Sequence, residues 1–470
     1  MKTVLAFDFG ASSGRAIKAS FDGKEIKYEE IHRFENIPKE VDGHVCHDVE
    51  MIFGEIKTAI EKAGEIDSLA FDTWGVDYAL IDNEGNIIHE PYHYRDGRTA
   101  DALGRAFEKM SADEIYAETG NQIMNINTLF QLISDDNLEK ADKLLFMPDL
   151  FAYLLTGEKV CETSIASTSQ MLDMEKGTWS KKVIDTFGIN EELFPEIKKS
   201  ATVNGKYKSI PVISVAGHDT QCAVVAMPTD SENAAFLSCG TWSLIGCELD
   251  VPVMTEKSNA LELSNEMGAN GKINFLKNIS GLWLIQECRR DLVKTDRKYS
   301  YNELEMLARE SESFRSFIDP DAPELSAHGN LPDKIRKYCE KTNQAVPETV
   351  GQLVRCIYES LALKYRLALM QISECTGKSF DVLHLMGGGT KDGFLCELTA
   401  QSLGIPVIAG PIEATALGNI VLQLIALGEI ESIEEGRRII AETEKVITFN
   451  EKHTHEWEKA FDRFCEIIKK

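Results

Sequence analysis

One pattern constrains the fold more than any other, because it occurs twice. "LAFDFGASSGRAIKA" (5–19) is an apolar run, a turn of small residues and a second run; "FLSCGTWSLIGCEL" (236–249) repeats the arrangement. Short apolar runs bounded by Gly, Ser and Thr read as buried strands joined by turns. Two copies this far apart predict an internal duplication, with one domain over 1–230 and a second over 231–470. The 470 residues agree with this, since single cores stop growing beyond about 250–300 residues. No linker rich in Pro, Gly or Ser separates the halves, so they are expected to pack closely around an interdomain cleft, a common ligand site.

The first copy continues as strands at 4–9, 16–21 and 26–34, a hairpin start and not a βαβ start. A helix is expected over about 48–63, capped by Asp48, with Met51, Ile52, Ile56 and Ile60 on its apolar face. "SLAFDTWGVDYALIDNEGNIIHE" (68–90) reads as three strands with two turns. Residues 99–157 read as mostly helical, with a capping box at Ser111 and Glu114. A buried strand is expected at 210–217. In the second half come a long helix at about 349–375, a strand at 382–389, helices from about 391 and 415, a strand at 405–411 and a last helix at 455–469. The fold class is α/β.

The net charge, 50 − 76 = −26, argues against a nucleic-acid surface, which needs clustered Lys and Arg. Any anionic substrate must then be held by local devices: backbone N–H groups, a few cations or a metal. The eleven Cys are scattered without a CxxC pair, so a zinc cage is not expected. Cys339 and Cys356 flank a loop and a helix start, and the sequence leaves open whether they meet. The N-terminus lacks a signal-peptide core, and no run approaches the ~20 apolar residues of a membrane span. The expectation is a cytoplasmic protein with no membrane or nucleic-acid partner, monomeric or homodimeric.

Four motifs carry candidate chemistry. In "DFGASSGR" (8–15), small side chains let backbone N–H groups approach a phosphate and Ser hydroxyls add donors. Asp8 could hold Mg²⁺ through water, and Arg15 could neutralise phosphate charge; an ordinary hairpin turn is the alternative. "SCGTWSL" (238–244) repeats the device with Thr241. "LHLMGGGTKD" (383–392) places three glycines between strand and helix, for a ligand's close approach or for a tight turn. "DTWGVD" (72–77) offers carboxylates and an indole to a sugar, or a packed hairpin. In "VAGHDTQCAV" (215–224), Asp219 reads as a helix N-cap, a metal ligand or a catalytic base. Partner ligands for the metal reading are missing.

Taken together, "DFGASSGR", "GHDT", "SCGTWSL" and "GGG" resemble the FGGY carbohydrate kinases of the actin/hexokinase/Hsp70 superfamily. "YRDGRT" (94–99), "MPDLFAYLLTG" (147–157), "LKNISGLWLIQE" (276–287) and "AGPIEATALGNI" (409–420) extend the resemblance over nearly the whole chain. Within the family the motifs are nearest the branch acting on L-rhamnulose. The resemblance implies two ribonuclease-H-like domains, ATP and Mg²⁺, and phosphorylation of L-rhamnulose at O1. It implies Asp219 as general base, with Gly75, His218, Thr220 and Asn278 on the sugar. Ala11, Ser12, Ser13, Gly14 and Arg15 would lie on the phosphates with Thr241, and Gln286 and Gly388 would line the nucleotide. A helix N-terminus favours negative charge, so Asp219 is expected to stay ionised at neutral pH. The departures are Gly217 for the Ser of an "SHDT" form, Cys239 for Ser, and Ala11 for the Thr of the wider "DxGTxSxR" pattern. Another ketose as substrate, or a non-catalytic nucleotide-binding protein on an actin-like scaffold, are the competing expectations.

Overall fold

The structure is a computed structural model that describes residues 1–10, 12–295, 297–450 and 452–469. It contains two compact units. The first holds Met1–Asp230, Glu248–Phe275 and Ala414–Glu444; the second holds Ser231–Cys247, Leu276–Glu413 and Lys445–Lys470.

In the first unit, strands Lys2–Phe9, Ser13–Phe21 and Ile26–Glu35 pair antiparallel in succession. Strand Ser68–Thr73 joins the other side of Lys2–Phe9 in parallel, followed by Ile210–Ser214 in parallel and Thr202–Tyr207 at the edge. Parallel pairing needs a crossover, and helix Val49–Ala63 supplies it. The Asp48 side chain caps that helix by accepting from Met51 N at 3.1 Å. This is the ribonuclease-H-like strand order.

Strand Lys2–Phe9 reads as a continuous apolar run because both of its faces are covered. Leu5, Phe7 and Phe9 pack with Val49, Ile52 and Ile56, and Phe7 stacks on Phe71 with centroids 4.8 Å apart. The Ala414–Ala426 helix packs on strands Lys2–Phe9 and Ser68–Thr73 and on helix Asp219–Val225. Its side chains Asn419 and Gln423 are buried and matched. Asn419 Nδ2 donates to Asp72 Oδ2 at 2.7 Å. Gln423 accepts from Ser68 Oγ at 2.7 Å and donates to Leu5 O at 3.1 Å and Asn419 Oδ1 at 2.8 Å.

The second unit repeats the order. Strand Ala234–Cys239 is antiparallel to Trp242–Leu249 and parallel to Val382–Met386, which is parallel in turn to Val407–Ala409. Strand Ile273–Ser280 neighbours Trp242–Leu249. The long helix, Val350–Thr376, is capped by Thr349 and anchors a core with Leu237, Ile245, Leu361 and Leu385.

Several expectations needed correction. Residues 99–157 hold helices Ala102–Phe107, Ala112–Thr119, Thr128–Leu132 and Met147–Thr156. Strand Lys143–Phe146 interrupts them, recruited by pairing with Tyr78–Ile81; this long-range partner outweighs local propensity. The third strand expected before residue 90 shrinks to one bridge, Ile81 to Ile87. The capping box of Ser111 and Glu114 is present. Cys339 and Cys356 are free thiols, both buried, and each shifts the other's ionisation. No helix among the described residues is long and apolar enough to cross a membrane.

At Gly418 the Ala414–Ala426 helix comes close to its neighbour: a Cβ there would lie 1.8 Å from Cys222 O. Backbone on both sides leaves no side chain to give way. Gly418→Ala is therefore expected to destabilise the protein by at least ~3 kcal/mol, read as a fall in the urea unfolding midpoint. A loss under ~0.5 kcal/mol, the ordinary surface value, would show that the helix packs elsewhere.

Candidate active site

Residues distant in sequence meet at the carboxyl ends of the first unit's central strands. The register sets Asp8 opposite Asp72 on parallel strands and opposite Arg15 across the hairpin. Thr73 bridges to His218, and Thr73 N donates to Gly217 O at 2.8 Å. Asp8 and Asp72, in the last residues of their strands, and His218–Asp219, just beyond a third, thus lie at the carboxyl ends of three parallel strands, where open α/β sheets bind ligands.

The turn from strand Ile210–Ser214 into helix Asp219–Val225 is fixed from beneath. Gly217 N donates to Glu162 Oε2 at 2.8 Å, and His218 N donates to Ser164 Oγ at 3.3 Å. A Cβ on Gly217 would lie 3.0 Å from Ile165 Cβ and 3.1 Å from Pro148 Cγ. The Ser of the familiar form would need those neighbours to yield. The N-cap is His218, not Asp219. Asp219 is the first helical residue, and its Oδ1 accepts from Thr220 N at 2.6 Å.

The electrostatics of this turn are specific. Burial pushes the Asp219 carboxyl up to about 6, with Asp8 adding and His218 and Thr220 opposing. The helix end does not hold it at the ordinary carboxylate value, yet at pH 7 it remains mostly ionised. A third of the side chain, 33%, is exposed, which leaves an approach for a hydroxyl. Burial alone would lower His218, but the charge and hydrogen bond of Glu266, then Asp219, raise it to about 9. His218 Nδ1 is 2.8 Å from Glu266 Oε2, and Nε2 is 3.5 Å from Asp219 Oδ1. Gln221 Nε2 also donates to Glu266 Oε2, at 2.6 Å. Asp72 is fully buried and raised well above the usual carboxylate range by burial and then Asp8. Its Oδ1 has no hydrogen-bond partner.

The small-residue turn is a tight hairpin, with Gly10 N donating to Ser13 O at 2.9 Å. Ser12 is exposed and Ser13 half-buried; Ala11 lies outside the described residues. Gly14 answers to packing: a Cβ there would fall 2.2 Å from the Phe34 ring. Arg15 pairs with the buried Asp8 carboxylate. Gly75 is half-buried beside the Thr168 side chain, 3.2 Å from where its Cβ would be. Among the described residues no group of three or more His, Cys, Asp or Glu could hold a metal by itself.

In the second unit, Thr241 O accepts from Gly281 N at 3.1 Å and Trp283 N at 3.2 Å, so helix Trp283–Thr295 begins on the Thr241 turn. Gln286 follows on that helix and lines a pocket of about 270 Å³ with Arg289, Arg290, Val293, Lys298 and Tyr301. Asn278 is half-buried on strand Ile273–Ser280. The three glycines have separate reasons. Gly387 has φ +84°, Gly389 would place a Cβ 2.3 Å from Cys239 Sγ, and Gly388 is exposed with open space about it. The tight turn explains the outer two, and only Gly388 is free to face a ligand.

Sequence reasoning missed Glu162, Glu266 and Gln221. Glu162 is buried and also accepts from Ser164 N at 2.8 Å. A carboxylate inside "VCETS" is the one signal available for it; Glu266 carries none, because only folding sets it against His218. Removing that charge should release His218. Glu266→Gln is expected to lower the His218 pKa from about 9 toward the ordinary ~6.5, read by NMR titration of the imidazole. An unchanged value would refute the account of its charge.

With this geometry in view, comparisons place the chain. The description of the FGGY family of carbohydrate kinases, N-terminal domain, matches residues 3–237, and that of the C-terminal domain matches 235–427. A rhamnulokinase of Bacteroides thetaiotaomicron is 40% identical over 99% of both chains. A rhamnulokinase of Halalkalibacterium halodurans is 40% identical over 94% of this chain and 97% of its own. Two solved structures share the fold at low identity. The ligand-bound xylulose kinase of Lactobacillus acidophilus has a TM-score of 0.83 at 16% identity, covering 100% of this chain and 98% of its own. Plasmodium falciparum glycerol kinase with ADP has 0.79 at 16%, with the same coverage. The duplicated ribonuclease-H-like units and the motifs at their strand ends therefore have one explanation: the chain belongs to the FGGY family of carbohydrate kinases.

Proposed function

We propose that the protein transfers the γ-phosphoryl group of ATP to O1 of L-rhamnulose, giving L-rhamnulose 1-phosphate and ADP, with Asp219 as general base. The observation that carries this reading is the Asp219 turn: a partly open carboxylate at the carboxyl end of an interior strand, beside a cationic His218. The rhamnulokinase relatives, matched along almost their full length, support the choice of sugar.

The chemistry suits the residues. Asp219 takes the O1 proton as the P–O1 bond forms and the bond from the γ-phosphorus to the bridging oxygen breaks, releasing ADP. The transition state is loose, so positioning and charge neutralisation dominate. His218, Thr220, Gly75 and Asn278 hold the sugar. The 11–15 turn and Thr241 hold phosphates, and Gln286 and Gly388 line the nucleotide. The oxygen donors at the first turn fit a hard cation: Asp8 is buried and paired with Arg15. A Mg²⁺ ion, held by Asp8 through water, would supply charge neutralisation on the phosphates. In this division residues 1–230 carry the base, the sugar contacts other than Asn278 and the first phosphate turn, and 231–470 carry the rest.

A panel of L-rhamnulose, L-fuculose, xylulose and ribulose, followed by coupled ADP release, tests the substrate. L-Rhamnulose is expected to have the highest kcat/KM; a higher value for another ketose reassigns the sugar. Asp219→Asn keeps the oxygen that accepts from Thr220 N but cannot take a proton. It is expected to lose at least ~100-fold in kcat, within the range of general-base catalysis. A carboxyl raised above its unfolded value opposes folding once ionised, so this variant should keep or gain thermal stability at pH 7. Near-normal kcat would remove Asp219 from the base role. In the wild type, kcat/KM should fall as pH drops through about 6, where Asp219 takes up its proton. An acid limb near ~4, the free carboxylate value, would mean the local field does not act on the base.

A further inference from the structure

The turn at 73–77 is strained and held from many sides. Val76 has φ +70°, a conformation that a β-branched residue adopts only under constraint. Such strain costs about 1–3 kcal/mol and persists only where the surroundings impose it. Here they do. Val76 N donates to Thr168 Oγ1 at 3.2 Å, and Val76 O accepts from Thr128 Oγ1 at 2.7 Å. Asp77 stands behind the turn with its side chain fully buried. Its Oδ2 accepts from His47 Nε2 at 2.7 Å, Trp74 Nε1 at 2.9 Å and Tyr94 N at 3.2 Å. Its Oδ1 accepts from Gln131 Nε2 at 2.9 Å. Burial alone would raise Asp77, but His47, His93 and Gln131 outweigh it and hold the carboxyl below the usual range.

A buried carboxylate with four donors is costly to assemble unless every donor is in place. Its position explains the investment. The turn follows Thr73, whose N–H and bridge join it to Gly217 and His218. Between Trp74, tied to Asp77, and Val76, tied to Thr168 and Thr128, lies Gly75. Its backbone direction is therefore set by groups that themselves stand behind the turn. We infer that Asp77, with His47, is a positioning residue that locks the strained Trp74–Val76 turn and so aims Gly75 at the sugar beside the Asp219 turn. The inference rests on the proposed sugar-kinase reading, in which Gly75 contacts the sugar. It makes Asp77 act on sugar binding and not on the nucleotide or the proton transfer.

The test is steady-state kinetics of the full-length protein with both substrates varied. Asp77→Asn keeps the shape and removes the charge that gathers the donors. It should raise the sugar KM about tenfold, equivalent to ~1.4 kcal/mol, and leave the KM for ATP within twofold. Thr168→Val removes the acceptor for Val76 N, together with the local hydroxyl bond to Ile165 O, at nearly constant volume. It should raise the sugar KM about threefold and serves alone if Asp77→Asn does not fold. A purely structural role would lower thermal stability and active fraction without separating the two KM values. Equal changes in both, or none in either, in the variants that fold overturn the positioning role and leave the kinase reading intact. A wild-type protein that turns over no sugar overturns the kinase reading, and this inference with it.

Discussion

The first unit depends on how closely the Ala414–Ala426 helix sits against the Asp219–Val225 helix and the central strands. Gly418 admits that approach, since any Cβ would strike Cys222 O. The approach brings Asn419 and Gln423 to Asp72, Ser68 and Leu5 O. Buried polar groups of this kind stabilise only when their partners are in register. The helix therefore fixes both the strand that ends at Asp72 and Thr73 and the helix that begins at Asp219. The candidate site inherits its geometry from that packing.

Electrostatics then divide the work among acidic groups in a chain of net charge −26. Asp8 is offset by Arg15. Burial suppresses ionisation of Asp72. Asp219 is raised only part of the way, because His218 stands 3.5 Å from it and is kept cationic by Glu266. A base with a value near the working pH accepts a proton more effectively than a fully stabilised carboxylate. The same arrangement leaves the cation at His218, next to where a sugar hydroxyl would approach, and limits repulsion among the three carboxylates.

Much of this was legible in the residues. The strand–turn–strand repeat, the hairpin start, the Asp48 cap, the Ser111 capping box and the long helix after Thr349 follow from local periodicity and caps, and the structure shows them. The glycines were legible as special but not as to why. Gly14 makes room for Phe34, Gly389 for Cys239 and Gly217 for Ile165 and Pro148. Each of those partners is brought up by tertiary packing. The strand at Lys143–Phe146 lies inside a stretch that reads as mostly helical, and its own residues do not announce it because its partner, Tyr78–Ile81, is distant in sequence.

The sequence by itself determined the duplicated architecture and the motifs, because these rest on local order: apolar runs, turn chemistry and short spacings. The residues alone left Asp219 open between cap, metal ligand and base, and only the family resemblance implied the base. Only the tertiary structure decided that His218 and not Asp219 caps the helix, that Glu162 and Glu266 hold the turn and charge the histidine, and that a strained Val76 is pinned through Asp77. The physical reason is common to all three. A pKa, an unusual φ and a second hydrogen-bond partner are set by groups that neighbour the residue in space but not along the chain.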